Sequence, residues 1–273
     1  MARTDSLSNF LTDIATAIKD KKGDTTDIPA ANFDTEITNL PSGSDNSVVK
    51  GIIDGTITSL EIPEGTTMIK KYLFSKCTQL ENVTIPSSIN EIGEYAFNGC
   101  SKLSNITIPG FNGYLGSSIF EGCKKLNSVI IMGGINSISD DMFRGCSELQ
   151  HITIPNSVGS IGIYSFMGCS KLNSITLPST LYSIGHSAFR SCDNLKSISI
   201  PSDVSRIGSY TFYSCDMLEI VDFSTHTSVP ILQDTNAFKL TPDNLQIKVP
   251  SALLDEWKAA TNWSTYADKI VGV

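Results

Sequence analysis

The chain is poor in the residues that most readily announce a function. Only 18% of its 273 residues are charged, and Lys plus Arg (20) are outnumbered by Asp plus Glu (28), for a formal net charge of −8 and a pI near 4.9. That balance has the wrong sign for neutralising a phosphate backbone, so no nucleic-acid partner is expected. No apolar run approaches the ~18 residues of a membrane helix, so no membrane insertion is expected. The opening MARTDSLSNFLTDIATAIKDKKGD lacks the basic-then-apolar order of a secretory leader, because Asp5 and Asp13 interrupt it. The G-x-S-x-G, P-loop and H-E-x-x-H patterns are all missing, and Gly110-x-x-Gly113-x-x-Gly116 reads as a loop rather than a dinucleotide fingerprint. Cysteine is scarce and odd in number, and seven thiols cannot all pair, so a disulfide scaffold is excluded. At 40% hydrophobic the chain still has enough apolar mass for a large core.

What is there is a repeat. The cysteines stand at Cys77, Cys100, Cys123, Cys146, Cys169, Cys192 and Cys215, each 23 residues after the last. A phenylalanine precedes each by three positions (Phe74, Phe97, Phe120, Phe143, Phe166, Phe189, Phe212), and a leucine follows each by three (Leu80, Leu103, Leu126, Leu149, Leu172, Leu195, Leu218). Two apolar columns follow, Val83, Ile106, Val129, Ile152, Ile175, Ile198, Val221 and Ile85, Ile108, Ile131, Ile154, Leu177, Ile200, Phe223. A proline closes most copies, and further on an aliphatic residue precedes glycine at Gly93, Gly116, Gly162, Gly185 and Gly208.

Physical chemistry assigns the parts. L-x-x-[IV]-x-[IL] alternates apolar, β-branched residues and predicts a short strand with those columns inward. Proline ends it, having no N–H for a further ladder bond. The glycine suits a tight bend of positive φ, and A-F-x-x-C-x-x-L has the three-residue spacing of a helical or 3₁₀ turn. A 23-residue unit cannot bury its own apolar side, but stacked units can, each column lying on its counterpart in the next rung. The expected fold class is therefore an α/β repeat solenoid with parallel strands.

The pattern resembles the BspA-type branch of the leucine-rich-repeat family, whose repeat reads I-P-x-x-V-x-x-I-G-x-x-A-F-x-x-C-x-x-L; Ile85-Pro86, Ile92-Gly93, Ala96-Phe97, Cys100 and Leu103 match it in place, and the likeness runs over roughly 48–250. The resemblance implies a right-handed leucine-rich-repeat solenoid and, since many members are surface or secreted adhesion proteins, an extracellular or cell-surface location. Two copies depart from the pattern. The third has Gly110-Phe111-Asn112-Gly113-Tyr114 after its proline, and the fourth has Met132-Gly133-Gly134 in place of proline and Ser139 in place of glycine, so both rungs are expected to bulge.

The ends differ from the middle. Residues 48–232 read as the solenoid, with Leu60 and Ile62 in a degenerate first rung, and 233–273 as a C-terminal cap. In the cap Ala237-Phe238 and Leu245-Gln246-Ile247-Lys248-Val249-Pro250 repeat the motif out of register, SALLDEWKAA reads as a helix, and Trp257 and Trp263 read as cap core. Residues 1–40 stand apart. Leu7, Phe10, Leu11, Ile14 and Ile18 form an amphipathic stripe, so a small N-terminal helical module is expected, joined by the linker 41–47, PSGSDNS. The string from Leu7 to Gly23 resembles short modules at the start of prophage tail-associated proteins of gut Firmicutes, which implies attachment or oligomerisation through residues 1–40.

Chemistry is thinly represented. The cysteines share one column between Phe and Leu, the place for a small core residue with a weak donor. Side chains stacked in parallel do not face one another as a disulfide requires, and one cysteine per rung makes no metal cluster, so neither metal nor cofactor is expected. His151 falls on an outward strand position, and Asp140 and Asp141 point apart on a turn. The candidate binding residues are therefore the outward strand positions, Asn82, Asn105, Ser128, His151, Ser174 and Ser197 in one file and Thr84, Thr107, Ile130, Thr153, Thr176 and Ser199 in the next. They offer hydroxyl and amide groups without a catalytic set. The reading is a non-enzymatic protein binding a protein or glycan through the concave face of the solenoid, or alternatively a structural or receptor-binding part of a phage-like tail particle. The register makes a first prediction, checked by denaturant melts. Phe143→Ala should cost roughly 3–5 kcal/mol as a core truncation, while Thr153→Ala should stay within about 0.5 kcal/mol; equal small effects would show that the columns are misassigned.

Overall fold

The computed structural model describes residues 58–62 and 64–273. The expected helical module at 1–40, the linker at 41–47 and the solenoid residues up to 57 lie outside the described residues. The remainder winds into a stack of three-sided rungs. On the first side Ser59–Glu61, Asn82–Thr84, Asn105–Ile108, Ser128–Ile131 and His151–Thr153 form one parallel sheet, and Ser197–Ser199, Ile220–Asp222, Gln246–Val249 and Ile270–Gly272 form another. The strands from Ser59 to Asp222 lie where the alternating pattern predicts them, and Ile270–Gly272 adds one within the expected cap. Leu60 pairs with Val83 and Ile106 with Val129, so like positions stack on like, and the central apolar residues of all but two rungs are buried.

Proline acts as expected, with an addition. Its ring ends the strand, and its carbonyl accepts the N–H three residues on, as in Val158 to Pro155 (3.1 Å) and Val204 to Pro201 (3.0 Å). This turns the chain onto the second side. In the fourth rung Met132 replaces proline and its N–H donates to Ile108 (3.0 Å), adding an inter-rung bond beyond the strand that proline could not make.

The second side carries two-residue strands. Met68–Ile69, Glu91–Ile92 and Tyr114–Leu115 form one sheet, and Ser137–Ile138, Ser160–Ile161, Ser183–Ile184, Arg206–Ile207 and Ile231–Leu232 another. The parting falls between the third and fourth rungs, the two irregular ones. There Phe111 is buried one position ahead of the column filled elsewhere by Ile89, Ile135, Val158, Leu181 and Val204.

The glycines after the aliphatic column require a correction. Gly93, Gly116, Gly162, Gly185 and Gly208 do not have positive φ. They are glycines because the preceding rung's backbone passes too close for a Cβ, which at Gly208 would lie 2.4 Å from the carbonyl carbon of Gly185 and at Gly116 2.3 Å from the amide nitrogen of Glu94. The left-handed residues come two and six positions later, as in Tyr95 (φ 56°) and Gly99 (φ 71°).

Those left-handed residues build the third side. Ala96, Asn98 and Cys100 donate N–H groups three residues back, to Gly93, Tyr95 and Phe97, while Tyr95, Phe97 and Gly99 donate to Ser117, Ile119 and Glu121 of the next rung (2.7–3.0 Å). The three-residue spacing read from the sequence is real, but it belongs to linked turns in which alternate amides leave the rung. A continuous helix would have kept all of them. Inside, Phe74, Phe97, Phe120, Phe143, Phe166, Phe189, Phe212 and Phe238 stack with centroids 5.3–5.7 Å apart and ring planes within 19°.

Stacking continues past residue 232. Phe238 extends the aromatic column, and Gln246–Val249 and Ile270–Gly272 extend the first side. The helix Leu254–Ala259 lies between those strands in sequence, and Trp257 and Trp263 are both buried against Phe223. The Trp263 indole N–H donates to Pro230 (2.8 Å), and the Tyr266 hydroxyl donates to Thr235 (2.6 Å) while accepting the Phe238 amide (3.2 Å). The close approach at Gly208 predicts that Gly208→Ala destabilises by about 1–3 kcal/mol through overpacking, measured in denaturant; a change within about 0.5 kcal/mol would show that the rungs have slack there.

Candidate functional site

The outward positions of the first side are set by strand alternation, in which every second side chain leaves the core. Register pairs bring Asn82 beside Asn105, Asn105 beside Ser128 and Ser128 beside His151 in one file, and Thr107, Ile130 and Thr153 together in the other. Ser197 and Ser199 pair with Ile220 and Asp222 in the second sheet. Eleven of the twelve candidate residues are exposed and Ser128 is half-buried.

Ser174 and Thr176 are exposed, but their rung belongs to neither sheet. Its backbone from Ser174 to Leu177 makes no hydrogen bond to the rung on either side, and Ile152 and Ile175 are only half-buried where other rungs bury this column. The rung keeps the repeat, so nothing in its sequence accounts for the parting. The files are thus two blocks, residues 82–153 and 197–222, with the sixth rung between them. They also extend beyond the twelve, to Ser59 and Glu61 at one end and Gln246 and Lys248 at the other. The signal for these was available, since Leu60 and Ile247 are the inward residues they flank.

None of the twelve is charged with histidine neutral, and Ile130, 46% exposed, is their one large apolar side chain. Neighbouring groups bind each other weakly here, as in the Asn82 amide to the Ser59 hydroxyl (3.3 Å) and the Ser174 hydroxyl to Asn173 (3.1 Å). The side offers donors and acceptors at rung spacing, with most of its capacity open to solvent.

The cysteine column has another role. All seven thiols are free, and six of them donate to the carbonyl of the phenylalanine one rung back, from Cys100 to Phe74 (3.1 Å) through Cys215 to Phe189 (3.1 Å). That carbonyl already accepts an amide three residues on, as Phe97 does from Cys100, so the thiol fills its second lone pair. Burial pushes every thiol pKa up, to about 12 at Cys77 and Cys215 and well above the ordinary thiol value at the others. These are neutral core donors rather than nucleophiles.

The histidines go three ways. His151 is exposed as expected, His186 is half-buried, and His226 is buried among Phe223 and Trp257. His226 faces the Val204 carbonyl through Nε2 (3.3 Å), and burial lowers its pKa below the usual imidazole value. Asp140 and Asp141 do point apart, Asp140 accepting the Ile163 amide (2.6 Å) and Asp141 pairing with Arg144 (3.1 Å). No group of three or more metal-ligating side chains occurs among the described residues, and no helix among them is long and apolar enough to cross a membrane.

Comparison with known proteins matches this geometry. The family described as BspA type leucine rich repeat region covers residues 54–162 and 136–255 in six copies. The chain belongs to the BspA-type leucine-rich-repeat family. Solved structures agree, among them a leucine-rich repeat protein from Bacteroides ovatus ATCC 8483 at 27% identity (TM-score 0.57, covering 71% of this chain and 54% of that one). Another is a leucine-rich repeat protein from Eubacterium ventriosum ATCC 27560 at 25% identity (TM-score 0.54, covering 68% and 43%). The chain therefore spans about half the length of these relatives. No curated protein matches. BspA-type repeats are binding scaffolds in general, which agrees with a site made of a surface rather than a cleft. The thiol column predicts that native protein at pH 8 reacts with less than one equivalent of a thiol reagent in minutes, and that all seven react once it is unfolded; rapid native modification of several thiols would contradict the buried, protonated column.

Proposed function

We propose that this protein is a non-enzymatic binding protein of adhesion type, which recognises a protein or glycan through the first side of its solenoid. The observation that carries the reading is the pair of outward files, whose small hydroxyl and amide groups are exposed above a closely packed interior. Hydrogen-bonding groups repeated along a rigid sheet suit a partner that is itself extended and polar. In this reading the first side is the inner curve of the solenoid and the protein works at a cell surface. Residues 1–40 supply its attachment or its self-association.

The test is a binding screen of the full chain against extracellular-matrix proteins and immobilised glycans, repeated with Thr107, Thr153 and Thr176 all changed to Trp. These residues are exposed, so the triple variant should fold and melt like the parent. Binding should fall at least roughly tenfold, the effect of losing about 1.4 kcal/mol of contact. Unchanged affinity for every partner found would remove the first side from recognition.

A further inference from the structure

Asn112 stands in the column that other rungs fill with a buried aliphatic residue, Ile89, Ile135, Val158, Leu181 or Val204. In the third rung Phe111 takes the core space one position early, and Asn112 and Gly113 are both left exposed. The shift also removes a hydrogen bond. At the place of Gly113 in other rungs, Asn90, Gly159, Tyr182 and Ser205 each donate the backbone N–H to the preceding rung (2.7–3.1 Å), to Thr67, Asn136, Gly159 and Tyr182. The Gly113 N–H has no such partner, because the Asn90 carbonyl that would receive it accepts from Tyr114 (3.1 Å). The Asn112 carboxamide is likewise without a hydrogen-bond partner.

Glycine is imposed at 113. A Cβ there would lie 1.7 Å from the Asn90 carbonyl oxygen, a close approach that only glycine permits. It is also the residue whose own amide nitrogen is least hindered in attacking a neighbouring side chain. The chain carries the same Phe-Asn-Gly once more, at Phe97-Asn98-Gly99, and there the fold closes both groups. The Gly99 N–H donates to the Glu121 carbonyl (2.7 Å), and the Asn98 carboxamide donates to that carbonyl and to the Glu121 carboxylate (3.3 Å each). Asn98 and Gly99 are both half-buried.

We infer that Asn112-Gly113 is a self-modification site, at which the folded chain converts asparagine to aspartate and isoaspartate through a cyclic imide. The Gly113 amide nitrogen loses its proton to solvent base and attacks the Asn112 side-chain carbonyl carbon. The new N–C bond closes the ring, the bond to the side-chain amide nitrogen breaks, and ammonia leaves. Water then opens the ring at either carbonyl, so one water is consumed for each ammonia released and no oxidant or reductant is involved. The reacting groups are chain neighbours, and the step needs only an N–H free of the fold and a side chain free to turn. Both products add a negative charge, and isoaspartate also lengthens the main chain. The strand that follows, Tyr114–Leu115, is the last of its sheet, so no further strand depends on its register.

The test is to hold the full chain, folded, in mildly alkaline buffer and follow both asparagines by peptide mass spectrometry, with isoaspartyl methyltransferase to detect isoaspartate. Asn112 should convert at least roughly tenfold faster than Asn98, the factor that about one retained hydrogen bond supplies. Its rate should rise with pH, since the attacking amide must be deprotonated, and both products should form. In denaturant the two rates should converge, because both asparagines lie between phenylalanine and glycine. Asn112→Gln, which would need a larger ring, should stop conversion at 112 and leave Asn98 and the thermal melt unchanged. Equal rates in the folded protein, a difference that persists in denaturant, aspartate without isoaspartate, or a rate that does not rise with pH would each overturn the assignment.

Discussion

The rest of the structure depends on the hydrogen bond from one rung's backbone to the next. On the two strand sides this is parallel pairing, with Leu60 on Val83 and Ile161 on Ile184, and on the turn side it is the alternation that sends Tyr95, Phe97 and Gly99 to the following rung. Because parallel pairing joins like positions, a residue type placed once per 23 residues becomes a continuous column. A rung that slipped by one residue would turn its core outward. The phenylalanine stack, the thiol column and the outward files all follow from that one register.

The columns explain why so little chemistry appears in so regular a sequence. A thiol buried between phenylalanine and leucine could be replaced by a small apolar residue were it not for the carbonyl one rung back, which has a lone pair left over. Six cysteines meet that need in the same way, and burial that raises their pKa keeps them as donors. The glycine column is the counterpart: at its five glycines the preceding backbone comes so close that a Cβ would collide, and the irregular fourth rung seats Ser139 there, its hydroxyl donating to Gly116 (2.6 Å). Together they hold the rungs at a fixed spacing, so the exterior can vary without disturbing the interior.

That separation gives the exterior its functional meaning. The first side repeats small polar groups, while the left-handed corner of the third side carries tyrosine in four rungs, Tyr72, Tyr95, Tyr164 and Tyr210, and serine or aspartate in the others. Stability explains the inward columns and leaves the outward positions free to vary.

Much of this was legible in the residues. Seven cysteines at equal spacing located the first-side strands from Asn82–Thr84 to Ile220–Asp222, save at Ser174–Thr176 where the rung has none, and predicted that Phe143 is core and Thr153 surface, while the helical spacing of the end placed Trp257 and Trp263 in the closing core. The candidate files were legible for the same reason, since alternation along a strand is a property of the chain alone. Other features depended on how rungs meet. The glycines read as bends and proved to be points of contact, because a Cβ clash with the preceding rung is a tertiary fact. The parting at Ser174–Thr176 occurs in a rung whose sequence is regular, and ring contacts such as Tyr164 with His186 and His186 with Tyr210 join residues of different rungs. The sequence by itself determined which residues face in and which face out, because that follows from local periodicity. Only the tertiary structure decided which of them touch, because contact across rungs is set by backbone spacing and register.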